Sequence, residues 1–390
     1  MKLSRLTSLF LVVSLIGALP AASAVKPGSK CKKVGKTQIW KGESLTCIKS
    51  GKKTVWSKGS PIKTAAPVST PTPTPSSSTE NLPQIPESLD DLIRDPRSIS
   101  YGAWIRSSQV YNSSKPEKPP INLIVGPSVD RTSVDFSNVL QNVTALFPGY
   151  IYPLNNYAYV YGKQDIPWVN EQLAILFTPD ELRILQNSEG GKLVESNCRP
   201  ECLWAKAQYS GARKISLMLF GADVFSSQRG QDAELFKNAI WAHEFLHTMQ
   251  DLQTHSGSGN TTMYDFPPTW WTEGAAQFVQ AVVQSFNSYE NYQRYFSYFG
   301  STRLSEEFLN EFLDEERSLV EWTQFPNYTY EIGAQVIEIL VSIKGPSIIL
   351  RLNSEILNGV GFTEAFRRIF GTEWKTVSPK IAKLISERQR

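Results

Sequence analysis

Hydrophobic residues recur at helical spacing between Ala239 and Leu252, and this stretch is the most informative one in the chain. Positions three and four apart on an α-helix lie on the same face, so the pattern predicts a helix with a buried side. Its apolar positions are Ala239, Ile240, Ala242, Phe245, Leu246, Met249 and Leu252. His243 and His247 lie four residues apart within this helix. Because buried polar groups are costly without a partner, two imidazoles at these positions indicate that something binds them.

Upstream of this helix, short apolar runs typical of strands alternate with longer runs that have helical spacing. The predicted strands are Ile121–Val125, Tyr157–Tyr161 and a hairpin of Leu203–Tyr209 with Ala212–Phe220, and the predicted helices are Ser133–Phe147 and Pro167–Leu176. Residues 81–230 are therefore expected to form a β-rich lobe, followed by a helical lobe of residues 231–390. This order of elements predicts an α+β fold.

The first 24 residues have the three parts of a secretory signal peptide. Lys2 and Arg5 give a basic start, an apolar run extends over Leu6–Leu19, and residues 22–24 (Ala-Ser-Ala) offer a cleavage site. The alternative is a membrane anchor, but the apolar run is shorter than the roughly 20 residues that a spanning helix needs. The sequence predicts cleavage after Ala24 and a secreted chain without a further transmembrane span.

Residues 25–63 are predicted to form a small basic module. They contain eleven lysines and one acidic residue, Glu43, which gives a net charge of +10. Cys31 and Cys47 are expected to pair, because disulfides form in oxidising compartments and small cores depend on them. Alternating residues predict short strands at Thr37–Trp40 and Thr54–Trp56. The charge indicates adhesion to an anionic surface such as a cell envelope, and the alternative is a solvated appendage.

Residues 64–80 are rich in proline, serine and threonine, a composition that predicts an extended linker. The whole chain has a net charge of +3, so the first 63 residues, with +12, leave −9 for residues 64–390. We therefore do not expect the main domain to bind nucleic acid.

The helix described first carries the motif H-E-x-x-H, formed by His243, Glu244 and His247. This spacing directs both imidazoles at one metal ion. Glu244 lies about 100° round the helix and can reach a water molecule without taking a ligand position. A catalytic zinc ion usually has three protein ligands. The continuation that supplies a third histidine is absent, because Gln250 and Gln253 stand where it requires glycine and histidine.

Residues 270–276, Trp-Trp-Thr-Glu-Gly-Ala-Ala, resemble the W-x-x-E-G-x-A segment of gluzincin metallopeptidases, the thermolysin-type or Peptidase MA-like clan. The resemblance implies a zincin-like domain with Glu273 as the third zinc ligand. Thr272 is a favourable N-cap, so we expect Glu273 in the first turn of its helix. Residues 330–333 (Tyr-Glu-Ile-Gly) resemble the Y-E-x-G segment of the aminopeptidase branch, which implies that Tyr330 binds the developing oxyanion. The plainer interpretations are that Glu273 is a solvated acid in the first helical turn and that Tyr330 is an aromatic residue of the core.

The remaining cysteines and the third histidine have less specific signals. Cys198 and Cys202 could form a local disulfide or act as metal ligands, and the disulfide is favoured because a second metal site would need further cysteine or histidine residues nearby and there are none. His255 follows the motif helix and could donate a hydrogen bond to an oxyanion, although such a histidine is more often simply exposed.

These residues predict a secreted metallopeptidase that contains one zinc ion per chain. His243, His247 and Glu273 are the expected ligands, Glu244 the general base and Tyr330 the oxyanion donor. One alternative is a surface-adhesion protein with a zinc-containing but non-proteolytic scaffold, which the intact Glu244 argues against. The other alternative is an enzyme of the same clan that acts on a non-peptide substrate.

The expected partner is a peptide or protein substrate. An edge strand within Ala212–Phe220 is expected to align an extended peptide by β-addition. The aminopeptidase branch anchors the substrate amine through a G-x-M-E-N segment on the strand before the zinc helix. The matching residues 215–223 lack that segment, and their one acid is Asp223. The sequence therefore predicts cleavage of internal peptide bonds.

Overall fold

The computed structural model describes residues 26–31, 33–34, 36–40, 43–51, 53–57, 60–61, 82–130, 136–187, 192–198, 201–211, 214–225, 238–255, 267–299, 303–314 and 326–388. The chain divides into two compact units, Met1–Thr79 and Glu80–Arg390. The predicted signal peptide and the predicted linker at 64–80 lie outside the described residues.

The first unit contains a small antiparallel sheet. Its strands are β1 Thr37–Trp40, β2 Glu43–Ser50, β3 Lys53–Trp56 and β4 Ser60–Pro61, with β2 paired to the other three. Cys31 and Cys47 form a disulfide, which lies with Leu45 and Trp56 in a cluster of buried side chains. The predicted disulfide is confirmed, and small cores commonly depend on such a bond.

The second unit is built on a four-stranded mixed sheet. Its strands are β5 Ile121–Val125, β6 Asn155–Tyr161, β7 Ala205–Ser210 and β8 Ile215–Gly221, in the spatial order β5-β6-β8-β7. The first three in this order are parallel, and β7 pairs antiparallel with β8. The predicted hairpin is therefore confirmed. The strand predicted to be an edge, within Ala212–Phe220, is instead the internal, fully buried β8, and the edge strands of the described sheet are β5 and β7.

Side chains alternate between the two faces of this sheet, as the strand geometry requires. Ala158, Val160, Met218 and Phe220 pack into the main core, which also contains the buried side of the motif helix. Tyr159, Tyr161, Leu217 and Leu219 form a second core on the opposite face, with the Cys198–Cys202 disulfide. The sheet is thus covered on both faces. The motif helix lies against the face that carries Ala158, Val160, Met218 and Phe220.

The helices of the second unit are α1 Leu89–Arg94, α2 Ser98–Ser113, α3 Ser137–Leu146, α4 Ile166–Leu176, α5 Pro179–Asn187, α6 Ala239–His255, α7 Thr269–Val283, α8 Tyr289–Phe296, α9 Glu306–Phe312, α10 Pro326–Lys344, α11 Ile348–Leu357, α12 Phe362–Phe370 and α13 Trp374–Arg388. The α+β class is confirmed. The expected β-rich lobe contains more helix than strand, because helices α1 to α5 also lie within residues 81–230.

Helices α7 and α10 approach each other more closely than side chains would permit. A methyl group on Gly274 would overlap the backbone of Gly333, and one on Gly333 would overlap the carbonyl oxygen of Trp270. The two backbones therefore meet at a pair of glycines, as small residues allow. This crossing fixes Glu273 on α7 and Tyr330 on α10 relative to each other, since each lies within three residues of a crossing glycine.

An aromatic cluster packs beneath the amino-terminal end of α7. The indole rings of Trp270 and Trp374 are stacked with centroids 5.1 Å apart, and those of Trp270 and Trp271 lie 6.1 Å apart. Phe362 contacts all three rings. These three tryptophans are fully buried, so the cluster joins α7 to α12 and α13.

In the described part of the chain, no single helix is long and apolar enough to cross a membrane. Two consecutive helical segments, Tyr328–Lys344 and Ile348–Ile356, meet the length and composition criteria only as a pair bent by 102°.

Candidate metal centre

Helix α6 carries the H-E-x-x-H motif into the interior of the second unit. Asn238 precedes it with a φ of +59°, a conformation that asparagine tolerates better than most residues. The apolar side predicted from the sequence is buried, including Phe245, Leu246 and Met249. His243 and Glu244 are buried with it, at 5% and 4% exposure. The polar groups of the motif therefore occupy a largely dehydrated position, where each of them needs a partner.

Glu273 reaches the two histidines from α7. Its Oε2 atom lies 3.3 Å from His243 Nε2 and 3.2 Å from His247 Nε2. The expected position of Glu273 in the first helical turn is wrong, because α7 begins at Thr269 and Pro268 is the N-cap. Thr272 is thus inside the helix, and burial of Trp270 and Trp271 in its first turn outweighs the capping preference of Thr272.

The geometry of these three residues fits a metal ion. Their ligand atoms lie within 4.8 Å of one another. Ligand atoms about 2.1 Å from a tetrahedral zinc ion would lie roughly 3.4 Å apart, close to the separations observed here. Glu273 Oε2 is buried and lacks a hydrogen bond of acceptable geometry within the described residues. A buried carboxylate oxygen facing two imidazole nitrogens in this way is suited to share a cation with them.

Gln250 fixes the orientation of His247, a role that we did not predict. The side-chain amide of Gln250 donates to the carbonyl oxygen of Thr272 at 3.2 Å, which leaves its Oε1 facing His247 Nδ1 at 2.9 Å. His247 Nδ1 must then donate, which leaves Nε2 as the nitrogen that faces Glu273 and that can bind either a proton or a metal ion. Metal-binding histidines commonly have such a partner on the second nitrogen. The sequence signal was present, since Gln250 lies three residues after His247.

The charges of His247 and Glu273 stabilise each other. Burial alone would lower the pKa of His247, but the Glu273 carboxylate, Glu244 and Gln250 outweigh it and raise that pKa to about 10. Burial would raise the pKa of Glu273, but His247 and His243 outweigh it and lower that pKa well below its usual range. The site thus favours a positive charge next to Glu273, which either a proton or a metal ion can provide.

Glu244 lies beside the ligand set. Burial raises the pKa of its carboxyl group, opposed by His243 and His247, while Glu273 raises it further and Lys206 lowers it. Lys206 belongs to the edge strand β7, which packs against α6. A carboxylate with a raised pKa is better suited to take up a proton near neutral pH than an ordinary one.

Tyr330 approaches from α10. Its ring lies on that of His243, with centroids 5.9 Å apart and planes inclined by 29°. Burial, the Glu273 and Glu244 charges and the interaction with the Glu273 carboxylate all raise the pKa of Tyr330 far above its usual value. The phenol therefore stays protonated and can donate a hydrogen bond.

Two further predictions concern His255 and the second pair of cysteines. His255 is the last residue of α6, about 12 Å along the helix axis from His247. Its side chain lies outside the described part of the structure, so its role stays a prediction. Cys198 and Cys202 form a disulfide in the second core, so the disulfide prediction is confirmed over the metal-ligand alternative.

Comparisons with protein-family models, with curated proteins and with solved structures gave no match. The fold and the site by themselves define the class: a mixed α+β protein, mostly helical, with a His-His-Glu group that could hold a metal ion. Its two disulfides are typical of proteins from oxidising compartments.

Proposed function

We propose that this protein is a secreted, zinc-dependent metallopeptidase that cleaves internal peptide bonds. The observation that carries the proposal is the convergence of His243, His247 and Glu273, with Glu244 and Tyr330 next to them. A purely structural zinc site has no need of a buried general base or of a half-buried phenol beside it. These two additional groups favour an enzyme over an adhesion scaffold.

His243, His247 and Glu273 would hold the zinc ion through Nε2, Nε2 and a carboxylate oxygen. When bound, zinc supplies the Lewis acidity that activates water and polarises a carbonyl group. Glu244 accepts a proton from the attacking water and later delivers it to the leaving amine. Tyr330 donates its hydroxyl proton in a hydrogen bond to the former carbonyl oxygen as negative charge develops there, a contribution of roughly 3–4 kcal/mol for one donor.

The test compares the wild-type protein with Glu244→Gln and Glu273→Ala. Elemental analysis should find one zinc ion per chain in the wild type and in Glu244→Gln, and a reduced content in Glu273→Ala. Glu290→Ala, an exposed acid on α8, is the matched control and should retain zinc.

Turnover is followed by mass spectrometry on a mixture of unstructured peptides. Glu244→Gln should bind peptides but lose roughly 10²–10⁴-fold in rate. Activity within about tenfold of the wild type, equivalent to about 1.4 kcal/mol of barrier, would contradict the role given to Glu244. A wild-type protein that holds zinc and cleaves no peptide would contradict the peptidase proposal itself.

A further inference from the structure

A second concave site lies at the far end of helix α6. It is a cavity of about 730 Å³, a size typical of ligand-binding pockets. Its lining comes mainly from residues 147–155, which lead from α3 into the first residue of β6, and includes Phe147, Tyr150 and Tyr152. Leu252 of α6 and Tyr209 of β7 complete the wall. The cavity therefore shares one helix and one strand with the metal centre.

The walls of this cavity are held in place before any ligand binds. The Ile151 carbonyl accepts a hydrogen bond of 3.1 Å from Gln253, which is on α6, and the Pro153 carbonyl accepts one of 2.6 Å from Asn156. The hydroxyl of Tyr150 donates to the Ser347 carbonyl at 3.2 Å, and that of Tyr152 donates to Glu117 at 2.6 Å. A pocket whose walls are already ordered loses little entropy when it binds.

The lining of the cavity favours a ligand with an apolar group that enters the cavity and an acidic group that lies at its rim. Ile151 and Leu154 extend its apolar surface at the rim, with exposures of 56% and 69%. Two exposed lysines, Lys115 and Lys214, also line it, and neither has an ion pair in the described part of the structure. The single acid of the lining, Glu117, already accepts the Tyr152 hydrogen bond. The rim is thus positively charged around an aromatic interior.

Strand β7 connects this cavity to the metal centre. This strand packs against α6, which carries Glu244, and its Lys206 lies three residues before Tyr209 of the cavity wall. Three residues of a strand span about 10 Å, so a peptide paired with β7 would reach from one site to the other within about three residues. Antiparallel pairing, the slightly more stable arrangement, would place the amino-terminal flank of the peptide beside Tyr209.

We propose that this cavity is a specificity subsite that binds a large apolar or aromatic side chain of the substrate, about three residues on the amino-terminal side of the cleaved bond. The proposal rests on the proposed peptidase function, which supplies the substrate. Acidic residues next to that side chain strengthen binding through Lys115 and Lys214. Affinity for the substrate would thus depend on a residue distant from the bond that is broken.

The experiment uses synthetic peptides, blocked at both ends, in which one phenylalanine is moved stepwise through a Gly/Ser/Ala background. The position of the cleaved bond should shift with the phenylalanine and remain a constant number of residues away from it on its carboxyl side. Leu154→Glu should lower kcat/KM for these peptides by about tenfold or more, because the apolar burial is lost. Ile175→Glu, which changes an isoleucine that is 80% exposed on α4, is the matched control.

A second readout separates this proposal from the proposed function. Fluorescence anisotropy measures the binding of the labelled peptides to full-length Glu244→Gln protein, which needs no catalysis. Binding that requires phenylalanine and is lost in Leu154→Glu supports the subsite even if no peptide is cleaved. Cleavage that ignores the position of the phenylalanine, with binding unchanged in Leu154→Glu, overturns the subsite and leaves the peptidase standing. Cleavage on the amino side of the phenylalanine would overturn the assigned direction.

Discussion

At the scale of single residues, the candidate centre depends on an amide as much as on its imidazoles. Gln250 contacts His247 through one end of its amide and the backbone of Thr272, next to Glu273, through the other. It therefore links two of the three candidate ligands. The linkage restricts His247 to the tautomer in which Nε2 can accept a metal ion.

Substituting Gln250 tests this linkage directly. Gln250→Ala should weaken zinc binding by roughly 10- to 100-fold, the usual effect of removing a partner from a ligand histidine. Gln250→Glu should restore much of the affinity, because a carboxylate can still accept from Nδ1. Gln253→Ala is the control, since Gln253 lies on the same helix but contacts Ile151 and Ser354. Competition titration with a zinc chelator measures all three, and equal losses in Gln250→Ala and Gln253→Ala would argue against a specific role for Gln250.

At the scale of elements, two helices set the position of the acid and the phenol. The backbones of α7 and α10 meet at Gly274 and Gly333, where there is no room for a Cβ atom. A side chain at either position would have to push the helices apart. Glu273 would then move away from the histidines on α6.

Gly274→Ala should therefore lower both stability and metal affinity. Overpacking of this kind costs about 1–3 kcal/mol of unfolding free energy. Gly361→Ala is the matched control, because open space surrounds that position, and it should cost less than about 1 kcal/mol and leave zinc affinity unchanged. Urea unfolding and chelator competition measure the two effects. A Gly274→Ala protein with wild-type values in both would show that the close crossing is not required.

The edge strand bears on the choice between internal and terminal cleavage. Since β7 rather than β8 is the edge strand that packs against α6, its sequence, Ala-Lys-Ala-Gln-Tyr-Ser, is the relevant one for anchoring a substrate amine. It has a lysine and no carboxylate. We therefore expect that N-acetylated and free peptides of the same sequence are cleaved at the same internal bonds with similar rates. Mass spectrometry of the products decides this, and release of single residues from free peptides alone would identify an aminopeptidase.

The sequence predicted local features of this architecture better than its long-range ones. Helix α6, its buried side and the two histidines followed from spacing within one segment, and the β7–β8 hairpin followed from two adjacent apolar runs. The order of the strands in the sheet could not be predicted from local spacing, because β8 pairs with β6, which lies more than fifty residues earlier in the chain. The crossing of Gly274 with Gly333 and the cavity at 147–155 also depend on contacts between distant segments. Glycines and prolines alone gave no sign of these contacts.

At the scale of the whole molecule, charge is divided unequally along the chain. Residues 25–63 have a net charge of +10, whereas residues 64–390 have −9. In the first unit the side chains of Lys33, Lys49 and Lys53 are exposed. This arrangement favours attachment of the first unit to an anionic surface, which an acidic second unit would not share.

Full-length protein should therefore bind vesicles that contain anionic lipid at low salt and dissociate near 1 M salt, where the screening length falls to about 3 Å. Replacing Lys33, Lys49 and Lys53 by glutamine should weaken binding. The same replacement at Lys118, Lys344 and Lys375, which are exposed lysines of the second unit, is the control. Co-sedimentation measures both variants. Equal binding by the two would attribute adhesion to something other than the basic module.

The tryptophan cluster beneath α7 gives the protein an optical signature of its own. The indoles of Trp270 and Trp374 lie 5.1 Å apart, close enough for their electronic transition dipoles to couple. Coupled indoles whose transition dipoles are inclined to each other, as expected for rings inclined by 22°, should produce a pair of circular dichroism bands of opposite sign that isolated tryptophans lack. Trp270 lies one helical turn before Glu273. The intensity of these bands should therefore show whether α7, which carries Glu273, is packed against α13. Disassembly of the scaffold around the candidate metal centre can thus be observed without measuring the metal or any reaction.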